Sequence, residues 1–396
     1  MDRYNADQLI KDMKSFLSGV DLHRLRIAGP AFTECFRELL SEDLSPSGTI
    51  NLSTQLLEAI WEQLNVGSWR EVPMEFRELY SYASLMLAAG HLQNRGKDGD
   101  DYENRAILAL DKGLILGAPV GDTAVENRLA HYADILHGHR NVRPDSAFKS
   151  VGEQEIDTAS MTSLVSDYPA IEEMAMPSVS EVLRRIEASC PLKISELLDG
   201  WPALRTWSVR HFLQTMGQRT VPVEVGSRYT DDEWGQKLMT VETFVRDHLG
   251  ANGYLAQYGL LEQVPALKRE IIIPDYCYAL NDADPEINFW FGGRTVSPLH
   301  QDDRQNIFCQ IFGTKLIILF SPDQNGNLYP YDSPLLHNTS QVDLENLDPS
   351  KYPKFLDAKG HRVVLGPGDA LLIPKSWWHF VKSLTPSSCS LSFWFG

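Results

Sequence analysis

Near residue 170 the apolar pattern of this chain changes its period, and that switch limits the fold to a helical half followed by a β-rich half. Upstream, apolar residues recur at helical spacing. The stripes are Leu9, Ile10, Met13, Phe16 and Leu17; Phe32, Cys35, Phe36, Leu39 and Leu40; Leu56, Leu57, Ile60, Trp61 and Leu64; and Val125, Leu129, Tyr132 and Leu136. Breakers such as Gly29–Pro30 and the polar stretch 94–100 separate them. Antiparallel helical hairpins stacked as a solenoid fit this pattern, although no fixed-period repeat is visible. The stripes read as core packing, and His23, His91, His131, His137 and His139 as surface or core residues. Residues 141–176 are polar and poor in aromatics, and read as a linker. A helical domain is therefore expected over 1–140 and a second domain over 177–396.

Downstream, strand-sized runs dominate, separated by Gly, Pro and Asp turns. They cover 220–225, 288–291, 307–312, 316–320, 363–365, 370–373 and 390–395. Many short strands with turn signals indicate an antiparallel sandwich or barrel, so the fold class is α+β. Gly313–Thr314 reads as a two-residue hairpin turn, which would set Phe312 opposite Lys315 and Asn306 opposite Ser321.

Charge and cysteine usage narrow the function. Lys plus Arg number 36 against 53 Asp plus Glu, a net charge of −17. Such a chain repels phosphate, so direct nucleic-acid binding is disfavoured and basic proteins are drawn in. The five cysteines lie far apart with no C-x-x-C pair, which argues against a zinc knot or disulfide framework and for a reducing compartment, nuclear or cytoplasmic. The polar start leads into no apolar signal segment, and the longest aliphatic runs, such as Leu316–Phe320, are far too short to span a membrane.

One constellation carries chemistry. In a strand, residues i and i+2 share a face, so His300 and Asp302 project together. Chance alone supplies roughly 1.5 such H-x-[DE] triplets in a chain of this composition, so the triplet needs context. A Pro-Gly-Asp turn at 367–369 feeds an apolar strand, and Trp377–Trp378–His379 opens the next. Two histidines and a carboxylate are the facial donor set that binds Fe(II) and leaves positions open for cosubstrate and O₂. The absence of thiolates argues against structural zinc. Lys315, on a strand of otherwise apolar residues, needs a partner anion, which the distal carboxylate of 2-oxoglutarate would supply. Taken alone, Lys315 could equally be exposed at its turn and His379 a satisfied member of an aromatic cluster.

Ser297-Pro298-Leu299-His300-Gln301-Asp302, then Asn306 and Lys315, then Gly368-Asp369, Ile373-Pro374 and Trp378-His379, resemble the JmjC domain of Fe(II)/2-oxoglutarate oxygenases. Stretches 193–204, 221–229, 253–257, 273–277 and 336–343 extend the resemblance, which covers about 180–396. The helical half resembles the family only in length and character. The resemblance implies a double-stranded β-helix, a cupin-like jelly roll. It puts the metal ligands on His300, Asp302 and His379, and the 2-oxoglutarate contacts on Tyr254, Ser297, Asn306 and Lys315, with Trp394 nearby. It puts a pocket for a substrate arginine on Glu224 and Trp290, where a guanidinium would find a carboxylate and an aromatic face. Asp303–Arg304, Phe380 and the terminal Trp-Phe-Gly in place of Trp-Trp-Ser depart from the family's pattern, and none of these departures touches a proposed ligand.

The expected activity is Fe(II)- and 2-oxoglutarate-dependent protein hydroxylation, at C3 of arginine in a basic substrate of histone or ribosomal type. N-methyl-lysine demethylation in a chromatin setting is the alternative within the class, and a cage for methylammonium would use aromatics instead of a carboxylate fork. A peptidase acting on methylated histone tails finds no Ser/Cys nucleophile constellation and no H-E-x-x-H site to support it. A non-catalytic binding module, with the helical half docking partners, is the reading from another class.

Overall fold

The first three helices begin where the sequence supplies a cap or a proline. Asn5 accepts the amides of Asp7 and Gln8 to open α1 (Ala6–Ser18). Pro30 occupies the first turn of α2 (Pro30–Leu39), and Ser45 caps α3 (Pro46–Leu64), which also starts on proline. Helices α4 (Met74–Gln93), α5 (Tyr102–Leu116) and α6 (Arg128–Gly138) follow. The computed structural model describes residues 5–23, 25, 28–41, 43–68, 71–95, 101–121, 127–138, 167–226, 234–334 and 336–396. Among them no helix is long and apolar enough to cross a membrane.

The described residues fall into two units. In the first, α4 packs against α1, α3 and α5 and is buried around its whole circumference. The segments 213–221 and 262–266 belong to the same unit. They bring in Arg219, fully buried, which donates to Asp111 (2.9 Å), Asp134 (2.5 Å) and the Gln263 carbonyl (2.8 Å). Asp111 also accepts the amide of Thr220 at 2.6 Å. A buried charge is tolerated when its hydrogen-bonding groups are matched in this way.

The second unit is built of two sheets. The strands are β1 (Glu173–Ala175), β2 (Leu192–Ser195), β3 (Thr220–Val225, whose first two residues are counted with the first unit), β4 (Gly235–Thr240), β5 (Gly253–Tyr258), β6 (Glu286–Gly292), β7 (Val296–Gln301), β8 (Gln305–Phe312), β9 (Lys315–Phe320), β10 (Gly360–Leu365), β11 (Ala370–Ile373), β12 (Trp378–Ser383) and β13 (Ser388–Phe395). The larger sheet runs β1-β2-β11-β8-β13-β6-β5-β3-β4 and the smaller β10-β9-β12-β7. From β6 onward the chain passes repeatedly from one sheet to the other, as a jelly roll requires.

Alternation along the strands sorts their residues into layers. Phe308 and Leu371 of the large sheet share a core with Ile317, Leu319, Val363 and Val381 of the small one. The intervening Leu316, Ile318, Phe320, Trp378 and Phe380 form a second core under residues 328–358. Strand β9 is thus covered on both faces, which accounts for its unbroken apolar run. Lys315 shares the parity of Ile317 and Leu319, so it points between the sheets.

Two expectations change here. Gly313–Thr314 does not close a hairpin within one sheet. Strand β8 pairs with β11 and β13, and β9 with β10 and β12. The turn is a corner between sheets because Thr314 is captured elsewhere: its amide donates to Thr385 Oγ1 (3.1 Å) and its carbonyl accepts from Leu384 N (2.8 Å). Of the expected linker, 141–166 lies outside the described residues. Residues 167–176 are already part of the β unit: Ile171 N donates to Arg362 O, and β1 pairs in parallel with β2. Lys193, 3.2 Å from both Glu173 and Asp369, holds that polar edge strand in place.

Candidate metal centre and cavity

Strands β7 and β12 frame the centre. They are antiparallel neighbours in which His300 and His379 stand directly opposite each other. Both turn inward, since their neighbours Leu299, Trp378 and Phe380 belong to the outer core. The rings lie 4.2 Å apart. Asp302 follows the end of β7, where its carbonyl accepts the Ser376 amide at 2.8 Å. Its Oδ2 is 3.5 Å from His379 Nε2. One donor atom from each of His300, Asp302 and His379 falls within 4.8 Å of the others, and among the described residues no other trio of His, Cys, Asp or Glu does so.

Each imidazole is tied down in the same way. His300 Nδ1 bonds the Pro298 carbonyl at 2.7 Å, and His379 Nδ1 the Trp377 carbonyl at 3.0 Å. A carbonyl only accepts, so Nδ1 carries the hydrogen and the Nε2 lone pair is left for a metal. Burial, then the facing His300, holds His379 down to about 4 against the pull of Asp302. It is therefore neutral near pH 7, as a metal ligand must be.

Lys315 sits at the floor, 1% exposed. Its ammonium donates to Tyr254 Oη at 3.2 Å and lies over the rings of Tyr254 (5.6 Å) and Phe308 (5.1 Å). Among the described residues no carboxylate pairs with it. Desolvation holds it down to about 7. At about 1.4 kcal/mol per pH unit, burial disfavours the charged form by an amount of order 5 kcal/mol, which an incoming anion would offset.

A cavity of about 990 Å³ opens over this centre. Nine of the ten residues singled out from the sequence line it: His300, Asp302, His379, Tyr254, Ser297, Asn306, Trp394, Glu224 and Trp290. Lys315 lies just behind, reached through Tyr254 and Phe308, which do line it. Glu224 of β3 is the cross-strand partner of Tyr254 of β5, which in turn faces Gly292 of β6. The Tyr254 and Trp290 rings are 5.8 Å apart, and Trp290 Nε1 donates to Ser392 Oγ at 2.8 Å. Glu224 accepts from Trp234 Nε1 at 3.3 Å, and burial raises its pKa against the opposing effect of that hydrogen bond. The sequence did not flag Trp234, Arg294, Glu345 or Lys382, which also line the cavity. Nothing in their local pattern distinguishes them from ordinary surface residues.

The donor set suits Fe(II), and the cavity suits a small polar dianion beside it. Asn306 Oδ1 and Trp394 Nε1, on cross-strand partners, are buried without a hydrogen-bond partner. Together with the uncompensated Lys315 they leave an acceptor, a donor and a cation for a ligand to satisfy. A jelly roll that brings two histidines and one carboxylate together in this way defines a cupin-type protein with a metal site suited to Fe(II).

Comparison with known proteins gives the particular branch. Residues 180–396 match the family described as a cupin-like domain, and residues 40–137 match KDM8-like, N-terminal ARM repeats. Lysine-specific demethylase 8 of Xenopus tropicalis is 37% identical, over 87% of this chain and 88% of its own length. The protein of the same name from Danio rerio is 38% identical over 86% of each chain. Jumonji C domain-containing protein 5 of Drosophila melanogaster is 34% identical, over 86% and 85%. The chain belongs to the cupin-like JmjC oxygenase family, in the branch with a KDM8-like helical N-terminus. Helices α3 to α6, which fall within or at the edge of the matched stretch 40–137, thus correspond to ARM repeats too irregular in sequence to show a period.

Proposed function

We propose that this oxygenase hydroxylates arginine, at C3, in a basic protein substrate. Glu224 carries the reading. It is a desolvated carboxylate inside the cavity, beside the Tyr254–Trp290 ring pair, and among the described residues no cation pairs with it. A guanidinium supplies the fork of donors and the flat cationic face that such a place accepts.

His300, Asp302 and His379 would hold Fe(II), with Nε2 of each histidine kept free by the main chain. Lys315 and Tyr254 would bind the distal carboxylate of 2-oxoglutarate, with Ser297, Asn306 and Trp394 as its walls. When bound, Fe(II), 2-oxoglutarate and O₂ supply the oxidising chemistry that turns a C–H bond into C–OH while 2-oxoglutarate becomes succinate and CO₂. Glu224 anchors the guanidinium, so the methylenes are the bonds offered for attack. The cavity walls limit water around them. Partners would be arginine-containing proteins of histone or ribosomal type, met in the nucleus or cytoplasm, with the helical unit as a further docking surface.

Lysine demethylation is the second reading. Trp234, Tyr254, Trp290 and Trp394 all line the cavity, and aromatics are what a methylammonium cage uses. Relatives bearing the name lysine-specific demethylase point the same way. Mass spectrometry separates the two: a gain of about 16 Da on arginine against a loss of about 14 Da from N-methyl-lysine. E224Q should lower kcat/KM for an arginine peptide by about 30-fold or more while leaving KM for 2-oxoglutarate nearly unchanged. Parallel loss of both would make Glu224 structural, and methyl loss with no arginine product would establish the second reading. A non-catalytic module would show no iron-dependent consumption of 2-oxoglutarate with any peptide.

A further inference from the structure

Arg294 lines the same cavity and is exposed at its mouth. Among the described residues no carboxylate pairs with it, whereas Lys382, the other cation on the wall, is held by Glu345 at 2.8 Å. Its backbone is unusual: φ is +55°, a region that non-glycine residues avoid. The turn that carries it is tightly packed. A Cβ on the preceding Gly293 would lie 1.8 Å from Pro386 O, so the turn is pressed against the 386–387 main chain. Arg294 N then donates to Thr385 O at 3.1 Å. Strained backbone of this kind is enriched at ligand-binding sites.

The register fixes where the backbone of this turn lies relative to Glu224. Glu224, Tyr254 and Gly292 are consecutive cross-strand partners on β3, β5 and β6. Strands lie about 4.8 Å apart, so Glu224 and Gly292 are separated by about 10 Å, and Arg294 is two residues further on. An extended peptide covers that span in about three to five residues.

We propose that Arg294 forms a subsite for an acidic side chain of the protein substrate, within about five residues of the residue held at Glu224. This rests on the hydroxylase reading above for the identity of the held residue. The net charge of −17 draws basic proteins from a distance; Arg294 selects locally, for an Asp or Glu flanking the target.

The test uses the full chain with Fe(II) and 2-oxoglutarate and a set of arginine peptides. Each carries one Asp, Ala or Lys moved through five positions on either side of the arginine. The readout is the ratio of kcat/KM between Asp and Lys peptides, in which the fraction of folded enzyme cancels. At one position the wild type should favour Asp over Lys by about tenfold. R294Q should bring that ratio near one, and R294E should invert it. Binding of the same peptides by fluorescence anisotropy without O₂ gives a second readout. Equal use of Asp and Lys peptides by the wild type, or the same preference in R294E, overturns the subsite even if arginine is hydroxylated. An Asp preference in binding that R294E abolishes, with no arginine product, supports the subsite and sinks the hydroxylase reading instead. A raised KM for 2-oxoglutarate in R294Q with unchanged peptide ratios assigns Arg294 to the cosubstrate and also overturns it.

Discussion

His300 and His379 are cross-strand partners whose rings stand 4.2 Å apart, each fixed by a hydrogen bond from Nδ1 to the carbonyl two residues before it. The pair is thus prearranged by backbone geometry, and Asp302 completes it from the end of β7.

Removing any of the three should therefore abolish metal-dependent chemistry without unfolding the barrel. D302A and H379A are expected to weaken Fe(II) or Mn(II) binding by more than the roughly 10–100-fold that loss of an outer hydrogen-bond partner costs. Calorimetric metal titration and succinate release check this. Unchanged succinate release in D302A would refute the assignment.

Lys315 predicts a pH dependence for the cosubstrate. Burial brings it to about 7, so above that pH it is mostly neutral until an anion binds. A carboxylate pairs only with the ammonium form, so binding takes up a proton. Affinity for 2-oxoglutarate should be greatest below about pH 7 and fall as pH rises, by up to about tenfold per pH unit. K315Q should bind more weakly and flatten the profile. Titration calorimetry across that range decides it.

The Asp111–Arg219 pair makes the helical unit sensitive to a single truncation. D111A leaves a fully buried guanidinium short of its main partner, at a cost of about 3–5 kcal/mol. At about 2–4 °C per kcal/mol the melting temperature should drop by about 10 °C. Pairing D111A with R219M should recover much of the loss. Thermal unfolding of the single and double variants tests both statements.

Gly313 marks the corner between the sheets. Its φ is +75°, and a Cβ there would lie 2.4 Å from Ser387 O and 2.7 Å from Ser388 Cα. These are main-chain atoms with little freedom to yield. G313A should cost about 2–5 kcal/mol in urea unfolding. G259A, where nothing lies within 4 Å, serves as the control and should change little.

Much of this arrangement could be read from the residues because chemistry and alternation coincide there. The donor types at 300, 302 and 379 name a metal before any fold is drawn, and the runs at 307–312, 316–320 and 370–373 fall within observed strands. Helix α4 was not anticipated, because it is buried on every side, at Leu79, Ala83, Leu85, Met86 and Ala89, and so carries no stripe. The corner at 313–314 looked like a hairpin because a two-residue turn has the same composition in either setting; the capture of Thr314 by the distant 384–385 segment decides between them. Arg294 gives no sign, since its place depends on a contact with Thr385, remote in the chain, and Trp234 gives none because its partner Glu224, ten residues earlier, shares no periodic pattern with it.

The carbonyl tethers on the two histidines have a further consequence. They come from the peptide chain itself, so no neighbouring side chain is required to keep the imidazoles aimed. The walls that meet the substrate can drift by substitution, residue by residue, while the oxidising core stays intact. A lineage with this barrel can therefore change its clientele without reinventing its reactor.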